Sequence, residues 1–157
     1  RHHVVLNTRT IIGNDCLIKS NTVIGEEGFG FERDENGVPI RIPHLGGVVI
    51  GNGVEIGALN TVVRGTVDNT LIGDHLKTDD HVHIGHNVQI GNNCMIAACA
   101  ELSGSARIGN DCWLGPNCSI MNGISIGDQC FVGLGTVVTK SLPGNVVVAG
   151  SPARILR

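Results

Sequence analysis

The chain has 157 residues, a formal net charge of −3 and only 16% charged residues, which suits one domain with a real core and argues against a nucleic-acid binder. Aromatic residues make up 3% and there is no Tyr, so something other than packed rings must build the core. No apolar run reaches the roughly 18 residues of a membrane span, and no stretch reads as a signal peptide.

The chain does not begin with Met, and its opening "RHH" reads as a cleavage scar. A missing N-terminal domain or segment is therefore allowed for, and residues 1–157 are taken as a single domain.

The first elements are aliphatic positions spaced six apart, at Ile12, Ile18 and Ile24. Residues 25–47, "GEEGFGFERDENGVPIRIPHLGG", then interrupt the spacing. Glu35-Asn36-Gly37 is a turn signal between two short strands, so this segment is expected to project as a hairpin loop. Its "GFGF" lacks the spacing of a dinucleotide fingerprint. A long loop on a rigid scaffold tends to line a site, which makes Phe29 and Phe31 candidate substrate contacts.

The period resumes at Ile50, Ile56 and Val62, slips by four residues, and restarts at Ile72. From there it runs through Thr78, Ile84, Ile90, Ile96, Leu102, Ile108, Leu114, Ile120, Ile126, Val132 and Val138. Only Thr78 breaks the apolar character. The residue after each aliphatic is mostly Gly or another small residue, which should ease a corner conformation that a β-carbon hinders.

A period of six fits neither an α-helix nor an alternating strand. It fits a solenoid in which three short strands close a triangular coil and coils stack at the strand spacing of ~4.8 Å. A narrow triangular core has little room for rings. Cys16, Cys94, Cys112, Cys118 and Cys130 all fall four after an aliphatic, an inward position, and read as small buried hydrophobes in a reducing, cytoplasmic setting. No CxxC pair supports a zinc ribbon.

Several stretches now carry a resemblance. "VIGEEGFGF", "IRIPHLGGVVIGNGVEIGALNTVVRGTVDNTLIG" and "VHIGHNVQIG" resemble the N-acyltransferases of lipid A biosynthesis, over roughly residues 5–110. "CWLGPNCSIMNGISIGDQCFVGLGTVVTKSLPGNVVVAGSPARILR" resembles the end of CoA-dependent hexapeptide-repeat acetyltransferases. The resemblance implies an all-β, left-handed parallel β-helix, assembled as a homotrimer with active sites between subunits. It implies transfer of an acyl group, acetyl first, from acyl-CoA to the amine of a nucleotide-linked amino sugar for surface polysaccharide or lipopolysaccharide synthesis. No permanently bound cofactor is implied. The alternative donor is an acyl carrier protein, as in the lipid A family. This chain departs from that family at Val63, where an Asp is usual, and at Gly123, where a second His is usual.

Carried onto this chain, the His of the "HN" pair is His86, the general base, with Asn87 beside the substrate. Imidazole titrates near neutrality and suits removal of an amine proton. Gly104 lies eighteen residues on, one coil away, and its bare N–H suits an oxyanion. Asp68, eighteen before, is the expected orienter of His86. In the tail, Thr139, Lys140, Gly150, Pro152 and Arg154 match the CoA-binding end, where the two cations suit phosphates. His75, His81 and His83 read as a solvated or interfacial face.

Two other classes compete. A γ-carbonic anhydrase-like zinc site needs three convergent ligands; His81 and His86 supply two, and His44 is the nearest third. A non-catalytic β-helix scaffold would show the same repeat without the His86–Gly104 register.

Overall fold

A computed structural model describes residues 1–157 and contains 23 strands and no helix. Three sheets of seven, six and eight strands, parallel except for the antiparallel pair of Val147–Ala149 with Arg154–Ile155, form the three faces of a prism, with about 8 coils stacked along its axis. The fold is the expected left-handed parallel β-helix. No helix is long and apolar enough to cross a membrane.

Registers follow the six-residue period. On the first face Ile84 pairs with Leu102, Leu102 with Ile120 and Ile120 with Val138. On the second Ile72 pairs with Ile90, and on the third Ile96 with Leu114. The partners lie eighteen residues apart. These inward side chains join one core cluster of 28 buried residues. Each buried Leu or Ile removes enough apolar surface to contribute about 1.5–3 kcal/mol, which replaces what aromatic residues do elsewhere.

Thr78 keeps its core slot, at 5% exposure, because its hydroxyl is satisfied: Gly57 N–H donates to Oγ1 at 2.9 Å. Cys94, Cys112, Cys118 and Cys130 are buried as expected, while Cys16 is half-buried and Cys99 is exposed.

The glycines after the aliphatic positions are needed for a different reason than a corner conformation. Gly73, Gly85, Gly91 and Gly109 have no positive φ. A β-carbon at Gly85 would instead lie 2.8 Å from the Leu102 carbonyl oxygen of the next coil. They permit close stacking. The left-handed corner residue falls two positions later and is His75, His81, Asn87, Asn93, Cys99, Ser105, Asp111, Asn117 or Gln129, all with φ of 55–62°. Asn, Asp and His tolerate this region better than most side chains, so His75 and His81 serve as corner residues.

The loop leaves the first face after Val23–Glu26 and returns at Val48–Ile50. Phe31–Arg33 and Pro39–Arg41 pair as an antiparallel hairpin. Asp34 closes its turn, Oδ1 accepting from Asn36 N–H and Val38 N–H at 2.9 Å each, and Gly37 takes a φ of 78°.

Candidate functional site

His86 stands at the corner that follows the first face. One coil on, Gly104 lies directly under its ring: a β-carbon there would fall 2.5 Å from Cε1 and nearer still to Nε2. The expected stacking of the two residues is present in the geometry.

The orientation of the imidazole is determined by Asn87. Thr66 N–H donates to Asn87 Oδ1 at 3.1 Å, and Asn87 Nδ2 donates to the Asp68 carbonyl at 3.0 Å. A backbone N–H only donates and a carbonyl only accepts, so the amide cannot be flipped. His86 Nδ1 lies 3.0 Å from that same Oδ1, so Nδ1 must carry the proton. In the neutral ring Nε2 then holds the lone pair, and it lies against Gly104. A neutral imidazole with its lone pair on Nε2 is what a general base requires.

The contacts of two expected site residues are visible here. Asn87, expected beside substrate, has its amide engaged by Thr66, Asp68 and His86. Asp68 contributes through its backbone carbonyl to Asn87 and not through its carboxylate to His86. The four-residue slip explains both, because residues 64–69 widen the corner into a bracket around Asn87, whose own N–H donates to Thr70 Oγ1 at 2.9 Å.

Gly104 is buried, its carbonyl accepts from Gly123 N–H at 3.0 Å and from Asn122 Nδ2 at 2.7 Å, and its N–H has no acceptor in the chain. Such N–H groups are rare. The corner after the second face provides the contrast: there the N–H groups of Asn14, Asn52, Asp74, Asn92 and Asn110 each donate to an Asn or Asp side chain of the next coil at 2.6–2.9 Å.

Beside this corner His83 Nδ1 and Thr61 Oγ1 share a hydrogen bond of 2.6 Å. Burial holds the His83 imidazole below its usual range, against the charge of Glu101. His44 was weighed only as a metal ligand, yet it lies against His86, with ring centroids 5.5 Å apart. Its place in a non-periodic loop gave no signal for this contact. His81 occupies a different corner, after the third face, and no three His, Cys, Asp or Glu side chains converge.

The tail residues come together. Thr139, Lys140, Pro152 and Arg154, with Leu142 and Ala153, line a cavity of about 230 Å³. Gly150 adjoins it, its carbonyl accepting from Val137 N–H at 3.0 Å. Lys140 stands two after Val138, as His86 stands two after Ile84, so both occupy the same corner column. Three coils separate them, roughly 14 Å at ~4.8 Å each. In the loop, Phe29 and Phe31 are 5.0 Å apart, Arg41 lies over the Phe31 ring at 4.7 Å, and both rings border a cavity of about 390 Å³ with Glu32, Arg33 and Pro39.

Residues 69–104 and 105–140 match the model of the bacterial transferase hexapeptide (six repeats). The UDP-3-O-acylglucosamine N-acyltransferase of Coxiella burnetii is 44% identical over 102 residues, 65% of this chain and 30% of that protein. The chain thus spans under a third of the length of that relative. The crystal structure of a UDP-N-acetylglucosamine O-acyltransferase from Moraxella catarrhalis superposes with a TM-score of 0.88 at 26% identity, covering 98% of this chain and 58% of that one. A maltose O-acetyltransferase from Clostridium difficile is 28% identical with a TM-score of 0.50, over 54% of this chain and 56% of that one. The chain is a left-handed parallel β-helix whose residues 69–140 match the hexapeptide-repeat model, similar in sequence to an N-acyltransferase of UDP-linked glucosamine and in fold to an acyltransferase of UDP-N-acetylglucosamine.

Proposed function

We propose that the protein is a cytoplasmic, homotrimeric sugar N-acyltransferase that moves an acyl group, acetyl in the first instance, from CoA to the amine of a nucleotide-linked amino sugar for surface polysaccharide or lipopolysaccharide synthesis. The observation that carries this reading is the His86 ring stacked against Gly104 by its Nε2 side, beside a Gly104 N–H that has no acceptor in the chain. A base and an oxyanion donor on one corner suit acyl transfer.

The sugar amine attacks the thioester carbonyl as His86 Nε2 accepts its proton. Gly104 N–H stabilises the oxygen that gains charge. The carbon–sulfur bond then breaks, and the leaving thiolate recovers the proton from the imidazolium, so His86 returns neutral. No covalent acyl-enzyme is required.

Acetyl-CoA is favoured as donor by the shared corner column. Lys140 and Arg154 suit the phosphates, and an extended pantetheine arm would span the two coils from Lys140 to Gly104. Phe29 and Phe31 are assigned to the nucleotide sugar, because exposed rings suit a planar base. A second reading, transfer from an acyl carrier protein, is favoured by the similarity to the Coxiella burnetii protein.

Thermal unfolding with each donor separates the two. At one hundred times its dissociation constant a bound donor adds about 2.7 kcal/mol of stability. Acetyl-CoA is expected to raise the melting temperature. Protection by an acylated carrier protein, with no effect of acetyl-CoA, would favour the second reading.

A further inference from the structure

His44 is a buried polar side chain in a loop whose other side chains are exposed or half-buried. Its residue exposure is 2%, while nearby Ile42 and Leu45 are 41% and 58% exposed. Its Nδ1 lies 3.1 Å from the Ile42 carbonyl. A carbonyl only accepts, so Nδ1 carries the proton and Nε2 the lone pair. That Nε2 is buried and has no partner in the chain. Burying an unpaired acceptor costs stability, so a merely structural filler would be better made apolar.

The second "GFGF" glycine is explained by this ring. A β-carbon at Gly30 would lie 2.7 Å from His44 Cε1, while one at Gly28 would meet Val63 Cγ1 first, at 2.7 Å, and His44 Nε2 at 3.0 Å. Gly30 must be bare for the imidazole to fit, and Gly28 lies against the same ring. Its other neighbour is His86, met edge to face at 78° and 5.5 Å between centroids. The loop is thereby tied at one ring to its own two glycines, to its returning strand and to the corner that carries the base.

We propose that His44 is a positioning residue for His86. Asn87 holds the imidazole by Nδ1, but one hydrogen bond leaves the ring free to pivot about that contact. The His44 ring removes the freedom by packing against the imidazole edge to face. The separation is within the range of favourable edge-to-face contacts. The Nδ1–H anchor to Ile42 holds the wall, and the loop bearing Phe29 and Phe31 is seated by the same residue.

This proposal rests on His86 being the base, so its test has two readouts. The variants are His44→Ala, which removes the ring; His44→Gln, which keeps a donor for Ile42 without a ring; and His44→Phe, which keeps a ring without the donor. Turnover with an amino sugar and acetyl-CoA is expected to fall at least tenfold in the Ala and Gln variants, with the KM for acetyl-CoA unchanged. The Phe variant is expected to stay within about threefold of the parent. Long-range proton–nitrogen spectra of His86 in the intact protein supply the second readout. The parent and Phe variant are expected to show one tautomer, protonated at Nδ1, and the Ala and Gln variants an average of two. Parent-like turnover and parent-like His86 spectra in the Ala variant would overturn the proposal, as would a Phe variant no better than Ala in both. If the parent acylates no amino sugar while the spectra still change as described, the positioning role stands and the proposed reaction falls.

Discussion

Substituting Gly104 with Ala tests whether the imidazole must lie where it does. The added β-carbon would sit 2.5 Å from His86 Cε1, where ordinary contact begins at 3.4 Å. The ring must therefore retreat by about 1 Å, and a displacement of that size can cost on the order of 10²-fold in rate. Retreat would also stretch the 3.0 Å bond from Nδ1 to Asn87. The backbone N–H survives the change, so the oxyanion donor is not removed. Gly104 has no positive φ, so Ala meets no backbone strain there. A fall in kcat of about 10²-fold is expected, with an unchanged KM for acetyl-CoA and a melting temperature lowered by the overpacking but with the protein still folded. Steady-state kinetics and a thermal melt measure all three. A kcat within threefold of the parent would refute the reasoning, because chemistry would then tolerate a displaced ring.

Lys140→Ala should raise the KM for acetyl-CoA about tenfold and leave kcat alone, since a charge-assisted hydrogen bond contributes roughly 1.5–3 kcal/mol; titration of CoA binding checks it. Among the thiols, Cys99 should react first with an aromatic disulfide reagent in the native protein, because it is exposed, whereas burial pushes the Cys118 thiol up to about 12 and raises that of Cys130. Rapid modification of Cys118 or Cys130 would contradict the packing. His83 has a folded pKa below its ordinary value of 6.5, chiefly from burial. Neutral His83 therefore contributes stability above pH 6.5 that is lost as pH falls through the folded value. Urea unfolding between pH 7.5 and pH 5 should show a smaller acid loss in His83→Gln than in the parent.

The period-six aliphatic positions were legible because each fills the same slot in successive coils, so local spacing and global burial agree. Ile84, Leu102 and Ile120 needed no other information. The role of the small residues was misassigned because the left-handed corner is held by Asn, His, Cys and Ser, while Gly85 and its equivalents answer to backbone in the adjacent coil. The register of His86 with Gly104 was legible for the same reason as the core. Asn87 and Asp68 were not, because their contacts run through the four-residue slip, where the period is lost. His44 lay deeper still: its contacts with Gly28, Gly30 and His86 depend on how a 23-residue insertion folds back, and no repeat encodes that.

The central claim is that His86 takes the amine proton during transfer. Its most direct test is single-turnover amide formation from acetyl-CoA and a nucleotide-linked amino sugar, comparing the parent with His86→Ala. The account predicts a rate lower by about 10²–10⁴-fold, with acetyl-CoA binding unchanged. A variant that forms amide at the parent rate would contradict it.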